Sequence, residues 1–387
     1  MTTGTLEPVG ARSDVARPAR IDGGAGRWWF VAGVYGLSRL LSLAGFALAS
    51  ALRPGWSLGD LPRLWDGQWY LRLAHAGYPH VLPEVAGRGQ ATLAFFPLFP
   101  FLVRLVSALP GVSDGAAGVG VSLAAGAVAA GLVFTFAQRL AGRRTARRAT
   151  LLFCFFPGSI VFSMVYSEGV MIALAAGCLL ALQQRRWLLA GVLGGLATAA
   201  RPNAVVLVVA CGWAAVDAVR RRGDRRALLA PVLSAAGVTG FMAFLWLRTG
   251  APDAWLRVQH DVWNQQTDFG RTLVDAVVWL VRVPFGNLER VIVVTGLVFA
   301  AAGLRLLVRR GWPAPVTVYT AGVLLMAAVY RVDVLRPRAI LAAFPLFAAY
   351  GDRLSRRTVT VLVAAFAVAL VLLPLYYTLP LASSSAP

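Results

Sequence analysis

The carboxylate best suited to proton transfer lies in the run LWDGQWYLRLAHAGY at 64–78. Apolar side chains recur there at spacings of three and four, from Trp65 through Trp69 to Ala76, which predicts an amphipathic helix whose aromatic side lies among lipid headgroups. Asp66 falls in the first turn of that helix. It could take a proton from a reacting hydroxyl, or it could only stabilise the helix dipole. The run alone leaves both interpretations open.

Two short polar runs interrupt apolar segments further along the chain. SMVYSEG places Tyr166 and Glu168 between two such segments. An ionisable residue at membrane depth costs about 2.5 kcal/mol or more, so Glu168 is expected to face a cavity unless it lies in a water-exposed turn. In TAARPN a proline separates Arg201 from Asn203 and breaks the helix, which leaves the guanidinium free to pair with a carboxylate or to bind a phosphate.

Aromatic and amide side chains alternate in AWLRVQHDVWNQQTDFG at 254–270. Such a mixture suits a sugar, whose apolar face stacks on rings such as that of Trp263 while its hydroxyls bond to amides such as Gln259. An interfacial aromatic belt would explain the same residues. The run FFPLFP at 95–100 is expected to be a kinked interfacial element, or an apolar wall beside Asp66.

Arginines also occur in YRVDVLRPRAILAAFPLF at 330–347, where Arg336 and Arg338 are candidates for binding an anionic lipid phosphate. By contrast, no zinc-helix spacing surrounds His75, His80 or His260, and the chain has no glycine-rich phosphate loop. We therefore expect no metal, no cofactor and no cytosolic nucleotide donor.

The composition indicates what must position these residues. Of 387 residues, 58% are hydrophobic and 14% are charged, and the mean hydropathy is +0.68. Soluble domains average about 45–50% apolar and about 25% charged residues, so a multi-pass protein of the cell membrane is predicted. The net charge of +20 could suit nucleic acid, but arginines in short bursts between apolar runs are typical of cytoplasmic loops. The partner is therefore a lipid bilayer and not nucleic acid.

The apolar runs predict an all-α bundle of about eleven spans in a single domain at 28–380, with a cytoplasmic N-terminus at 1–27 and a short tail at 381–387. The predicted spans are 28–52, 117–140, 149–165, 167–183, 187–202, 203–219, 227–248, 287–308, 313–330, 339–351 and 358–380. Two short apolar stretches, 93–109 and 273–285, are expected to be interfacial or re-entrant. This arrangement places long loops, 53–92 and 249–286, on the outer side.

Most acidic residues then fall on the outer side or at its membrane edge, which indicates that the polar chemistry occurs there. They are Asp60, Asp66, Glu84, Glu168, Asp253, Asp261, Asp268, Asp275 and Asp333.

Five motifs, in this order along the chain, resemble those of the PIG-V family, whose members add the second mannose in the assembly of glycosylphosphatidylinositol anchors. The motifs are WDGQWYLRLAHAGY at 65–78, FFPLFP at 95–100, YSEG at 166–169, RPN at 201–203 and RPRAILAAFPLF at 336–347. The resemblance implies a GT-C fold, the architecture of multi-pass transferases that use lipid-phosphate sugars. It also implies that Asp66 is catalytic, that Glu168, Arg201 and Asn203 line one cavity, and that Arg336 and Arg338 lie near the donor phosphate.

The combined prediction is a membrane glycosyltransferase that moves a sugar, most simply mannose, from a polyprenyl-phosphate donor to an acceptor hydroxyl outside the cytoplasm. Asp66 would be the general base of an inverting transfer. The expected substrate-binding residues are Trp65, Trp69, Tyr70, Tyr166, Glu168, Arg201, Asn203, Gln259, Trp263, Arg336 and Arg338. The acceptor stays open between a glycan, a lipid and a protein. The competing hypothesis is a transporter or flippase, for which acids and arginines would line a path.

Overall fold

A computed structural model describes residues 24–82, 92–283, 287–330 and 334–378. The predicted residues Glu84 and Asp333 and the termini at 1–23 and 379–387 lie outside the described ranges. Within those ranges the chain is helical, with short 3-10 segments and one isolated bridge between Thr267 and Tyr330. The all-α prediction is confirmed.

The first half of the chain forms helices α1 Ala25–Leu52, α2 Gly67–Ala76, α3 Leu98–Ser107, α4 Asp114–Phe155, α5 Glu168–Gln183, α6 Trp187–Ala200 and α7 Val206–Arg222. The second half forms α8 Leu229–Thr249, α9 Ala254–Arg257, α10 Arg271–Arg282, α11 Leu288–Arg310, α12 Ala314–Val329, α13 Pro337–Ala342, α14 Pro345–Arg353 and α15 Arg356–Thr378.

Six of the described helices are long and apolar enough to cross a bilayer, and a bent pair would make a seventh. These six are Ala25–Leu52, Asp114–Phe155, Pro202–Arg222, Arg225–Thr249, Leu288–Arg310 and Arg356–Thr378. The prediction of eleven spans is therefore not confirmed. Two of the eleven runs, 149–165 and 339–351, are each broken by proline into short helical pieces, and α6 and α12 have only 14 and 16 residues.

The two stretches predicted not to cross form short helices. Helix α3 has 10 residues and α10 has 12, whereas a crossing needs about 20. Pro97 is the N-cap of α3 and Pro100 lies in its first turn, where a missing backbone N–H costs no helical hydrogen bond. The FFPLFP run thus ends an irregular segment and begins a helix.

The break between α4 and α5 is stabilised by an arginine buried in the bundle. After Pro157 the chain turns through a 3-10 segment, and the helical axis bends by 109° before α5. Arg39 of α1 is 4% exposed, and its Nη2 donates to the carbonyl of Cys154 at 3.1 Å and to the hydroxyl of Ser159 at 2.7 Å, while its Nη1 donates to the hydroxyl of Ser163 at 3.1 Å. The guanidinium therefore replaces the hydrogen bonds that a continuous helix would make in a lipid environment.

Small residues bring α6 and α8 together beside this break. A side chain at Gly195 would meet the backbone of Leu233, and one at Gly237 would meet the backbone of Gly195. The two backbones touch directly, as glycine allows between membrane helices. This contact fixes the C-terminal end of α6, which carries Arg201.

The arginine bursts gather at one end of the bundle. Arg148 donates to the carbonyl of Leu354 at 2.9 Å, and Arg310 pairs with Asp352 at 3.0 Å. Helix α5 starts at Glu168, and α7 follows the 3-10 turn that contains Asn203; both helices have arginines near their other ends. The two ends of the bundle therefore differ in chemistry: one is rich in arginine, and the other carries the predicted site residues.

Candidate active site

A cavity of about 950 Å³ opens at the end of the bundle opposite the arginine bursts. Eleven of the twelve predicted site residues line it: Trp65, Asp66, Trp69, Tyr70, Glu168, Arg201, Asn203, Gln259, Trp263, Arg336 and Arg338. They come from segments separated by up to 273 positions along the chain. The fold therefore brings together residues that the sequence analysis had singled out in separate motifs. The exception is Tyr166.

Asp66 is the N-cap residue of α2, but its side chain makes no capping hydrogen bond. Instead, its Oδ2 accepts a hydrogen bond of 2.8 Å from Nη1 of Arg338. The side chains are 17% and 8% exposed, respectively. A charge-assisted hydrogen bond between side chains so little exposed to solvent is stronger than one on the surface. The alternative role of Asp66, as a carboxylate that only caps its helix, is therefore not supported by the geometry.

The backbone before Asp66 is strained. Trp65 has a φ of 54°, in the left-handed region that residues other than glycine rarely occupy. Such strain costs about 1–3 kcal/mol and persists where surrounding contacts hold it. Here the backbone N–H of Asp66 donates to the hydroxyl of Tyr166 at 3.4 Å.

Tyr166 was also predicted to bind substrate, but it is not among the residues that line the cavity. Its side chain is 0% exposed, and its backbone N–H donates to the hydroxyl of Ser122. The guanidinium of Arg338 lies 5.6 Å from the centre of the Tyr166 ring. One tyrosine thus contacts both members of the Asp66–Arg338 pair, through its hydroxyl and through its ring face.

A second ion pair lines the same cavity. Nη1 of Arg201 lies 2.9 Å from Oε1 of Glu168, whose side chain is 2% exposed. Arg201 also donates to the hydroxyl of Ser167 at 3.1 Å, and that hydroxyl lies 2.7 Å from the hydroxyl of Tyr70. The turn before α5 and the irregular end of α6 are therefore joined by a chain of polar contacts.

Aromatic rings form one wall. Trp263 packs edge-on against Trp69 and Phe95, with ring centres 5.8 and 5.5 Å apart, and Tyr70 meets Phe95 in the same manner at 4.8 Å. Gln259 lines the cavity from the π-helical turn Val258–Val262. The predicted combination of rings and amides is present, and its faces suit a ring that is apolar on one side and hydroxylated at its rim.

A nearby carboxylate, Asp60, is engaged elsewhere. It accepts hydrogen bonds from the backbone N–H of Ser57 at 2.8 Å and from the Ser57 hydroxyl at 2.9 Å. These hydrogen bonds hold the pKa of Asp60 below its ordinary value. Asp60 does not line the cavity described above, so Asp66 is the carboxylate in the described part of this loop that faces it.

Arg336 lies at the N-cap position of α13 and lines the cavity beside Arg338. Leu335, just before it, has a φ of 43°, so this turn resembles the strained turn at Trp65. The neighbouring Arg331 lies outside the described residues.

Several lining residues were not predicted. Helix α12 contributes Val323, Met326 and Ala327, and α9 contributes Trp255. The apolar residues of α12 resemble any other membrane-helix residues in type and spacing. Nothing in the sequence distinguishes them, because only the fold turns that face of α12 towards the cavity.

Solved structures define the class of fold. The crystal structure of ArnT from Cupriavidus metallidurans bound to undecaprenyl phosphate matches with a TM-score of 0.52 at 15% identity, covering 86% of this chain and 62% of that one. The oligosaccharyltransferase of Archaeoglobus fulgidus in its apo form matches with a TM-score of 0.50 at 14% identity, covering 93% and 56%. At these identities the likeness shows the fold alone, and the fold is of the GT-C type.

The family is indicated by sequence. Residues 55–221 match the family model described as mannosyltransferase (PIG-V). GPI mannosyltransferase 2 of Drosophila pseudoobscura pseudoobscura is 31% identical over 116 residues, and that of Drosophila melanogaster is 30% identical over 127 residues. The matched parts are 27% and 29% of this chain and 24% and 25% of those relatives, so the chain spans about a quarter of their length. The resemblance to the PIG-V family, predicted from the five motifs, is confirmed.

Proposed function

We propose that this protein is a membrane glycosyltransferase that moves mannose from a polyprenyl-phosphate donor to a hydroxyl group of an acceptor on the extracytoplasmic side. The observation that carries the proposal is the Asp66–Arg338 pair, a carboxylate and a guanidinium held 2.8 Å apart at the wall of a cavity with aromatic and amide faces. A base for the acceptor and a cation for a leaving phosphate are the two groups that this reaction needs.

In the proposed reaction, Asp66 takes the proton of the acceptor hydroxyl as its oxygen attacks the anomeric carbon. The bond from that carbon to the phosphate oxygen breaks, and its electron pair leaves with the lipid phosphate. Arg336 and Arg338 stabilise the added negative charge. Attack and departure on opposite faces of the sugar invert the anomeric carbon, and the proton on Asp66 is later lost to water.

Arg338 is suited to serve both partners. A guanidinium carries five N–H donors in a fixed plane, so it can hold a carboxylate on one side and a phosphate on another. Its contact with the Tyr166 ring keeps that plane in place. The base and the leaving group would thus be bridged by one cation.

Three observations support a lipid-linked donor. The family model that matches residues 55–221 is that of a mannosyltransferase. A solved structure with the same fold, ArnT, holds undecaprenyl phosphate. The cavity is also lined by apolar side chains, among them Phe95, Phe96 and Met326 of α12. An isoprenoid chain could lie there while its phosphate meets the arginines.

The difference between the two ends of the bundle supports the extracytoplasmic side. Arginine-rich ends of membrane helices stay in the cytoplasm. The arginines that meet Asp352 and Leu354 are at the end opposite Asp66. The cavity would then open to the outside, where lipid-phosphate sugars act as donors without a nucleotide.

A transporter remains the competing function, and the breaks before α5 and between α13 and α14 favour it, because discontinuous helices often bind transported substrates. One assay separates the two functions. The purified protein in vesicles is given undecaprenyl-phosphate mannose labelled in the sugar, with membrane glycolipids as acceptors. Label in a new product supports transfer, whereas movement of intact donor between leaflets without product would refute it.

A further inference from the structure

The cavity contains buried polar atoms that have no hydrogen-bond partner among the described residues. They are Nε1 of Trp65, Oε2 of Glu168, Nε of Arg201 and Oδ1 of Asn203. Leaving such an atom unpaired costs about 1–3 kcal/mol. All four residues line the cavity, so a bound molecule could supply the missing partners.

The mixture of donors and acceptors limits what that molecule can be. Glu168 and Asn203 offer oxygen acceptors, whereas Trp65 and Arg201 offer N–H donors. A phosphate would be repelled by the unpaired oxygen of Glu168, and a metal cation would be repelled by Arg201, which lies 2.9 Å from that carboxylate. A neutral group with several hydroxyls fits, because each hydroxyl both donates and accepts.

These atoms lie beside the reacting pair. Trp65 directly precedes Asp66, and Glu168 follows two residues after Tyr166, whose hydroxyl accepts the Asp66 N–H. The charges of Glu168 and Arg201 also interact with those of Asp66 and Arg338. A group bound there would lie beside both the base and Arg338, where the sugar being transferred must also lie.

We infer that Trp65, Glu168, Arg201 and Asn203 form the subsite that binds the hydroxyls of the transferred sugar and so distinguishes a sugar-bearing lipid phosphate from a bare one. This inference rests on the proposed function, since it assumes a lipid-phosphate donor. It assigns sugar recognition to this cluster and phosphate recognition to Arg336 and Arg338.

The test compares the affinity of the detergent-purified protein for two probes, undecaprenyl-phosphate mannose and undecaprenyl phosphate. We expect the first to bind the wild type about tenfold tighter, as one or two buried hydrogen bonds would provide. Asn203→Ala and Trp65→Phe should each narrow this gap to about threefold or less by weakening binding of the mannose-bearing probe. Gln184→Ala removes an exposed amide at the opposite end of α5 and should keep the full gap.

Binding of undecaprenyl phosphate by each variant shows that it is folded. If both variants keep the full difference in affinity between the two probes, the inference is overturned. Equal affinity of the wild type for the two probes would also overturn the inference. The four residues would then be assigned to binding the acceptor, and the proposed transfer would still stand. If the wild type binds neither lipid, the proposed function fails as well, which is a different result from either of the others.

Discussion

At the scale of single residues, the contact that matters most joins positions 272 apart in the sequence: Asp66 and Arg338. The sequence could predict that each lies in the site, because each stands in a motif of unusual polarity within apolar surroundings. It could not predict that the two touch. That contact depends on how α2 and α13 are placed, and no spacing within the chain encodes it.

Arg336 offers a test of the phosphate contact. Arg336→Ala should raise the KM for undecaprenyl-phosphate mannose about tenfold and leave the KM for the acceptor unchanged, because loss of a charged hydrogen bond costs about 1.5–3 kcal/mol. The control variant is Arg290→Ala, which changes an arginine in the first turn of α11. Initial rates over a grid of both substrates give the two constants. Equal increases in the KM for the donor and the KM for the acceptor would count against a phosphate contact.

Tyr166 is, in our account, a positioning residue. Tyr166→Phe keeps the ring beside Arg338 but removes the hydroxyl that accepts the Asp66 N–H. We expect kcat to fall by roughly tenfold with little change in the donor KM, because the base is held less well while the donor still binds. Single-turnover and steady-state rates measure this split.

Tyr319→Phe is the matched control, since that buried hydroxyl donates to the carbonyl of Ala342 and does not face the cavity. A donor KM that rises in Tyr166→Phe while kcat is kept would assign Tyr166 to substrate binding, as the sequence had predicted.

At the scale of elements, most helices could be predicted from hydropathy, but their breaks could not. The run 149–165 has no charged residue and was expected to cross, yet it contains the end of α4 and a 3-10 turn. Pro157 marks the place, but a proline can equally kink a continuous helix. What maintains the open backbone is Arg39, from a helix more than 100 residues earlier.

Arg39→Met should therefore destabilise the whole bundle. Removing the guanidinium takes a hydrogen-bond donor from the buried carbonyls of Cys154 and Ser159 and from the hydroxyl of Ser163, and a hydrogen bond to a charged group is worth about 1.5–3 kcal/mol. The expected result is a lower midpoint of thermal unfolding in detergent, followed by fluorescence-detected gel filtration. Arg143→Met, at an exposed position, should leave the midpoint unchanged. A stable Arg39→Met would show that the break does not need the arginine.

At the scale of the whole molecule, composition and arginine placement predicted a polytopic helical protein, and the fold agrees. The number of spans was not obtained, because hydropathy counts apolar residues and does not show whether they form one straight helix. The predicted site residues lie together: eleven of the twelve line one cavity. In a membrane bundle, short polar runs between apolar segments face an internal cavity because exposure of their charged groups to lipid is costly.

The orientation of the molecule can be tested at two exposed serines on opposite ends of the bundle, Ser57 and Ser355. Both stand just before a helical segment and bond to the residue three positions on: the Ser57 hydroxyl donates to Asp60, and the Ser355 hydroxyl accepts the backbone N–H of Thr358. They therefore form a matched pair. In intact cells, a membrane-impermeant maleimide should label Ser57→Cys, and it should label Ser355→Cys only after lysis. The reverse pattern would place the cavity in the cytoplasm.

The most direct test of the account is the transfer rate of Asp66→Asn in vesicles that contain undecaprenyl-phosphate mannose and acceptor lipids. The variant keeps the size of the side chain and should still bind the donor, but transfer should fall by about 100-fold or more, because a general base contributes about 10²–10⁴ to such a rate. Asp60→Asn, in the same loop, should retain transfer. Transfer by Asp66→Asn at a rate close to that of the wild type would contradict the account.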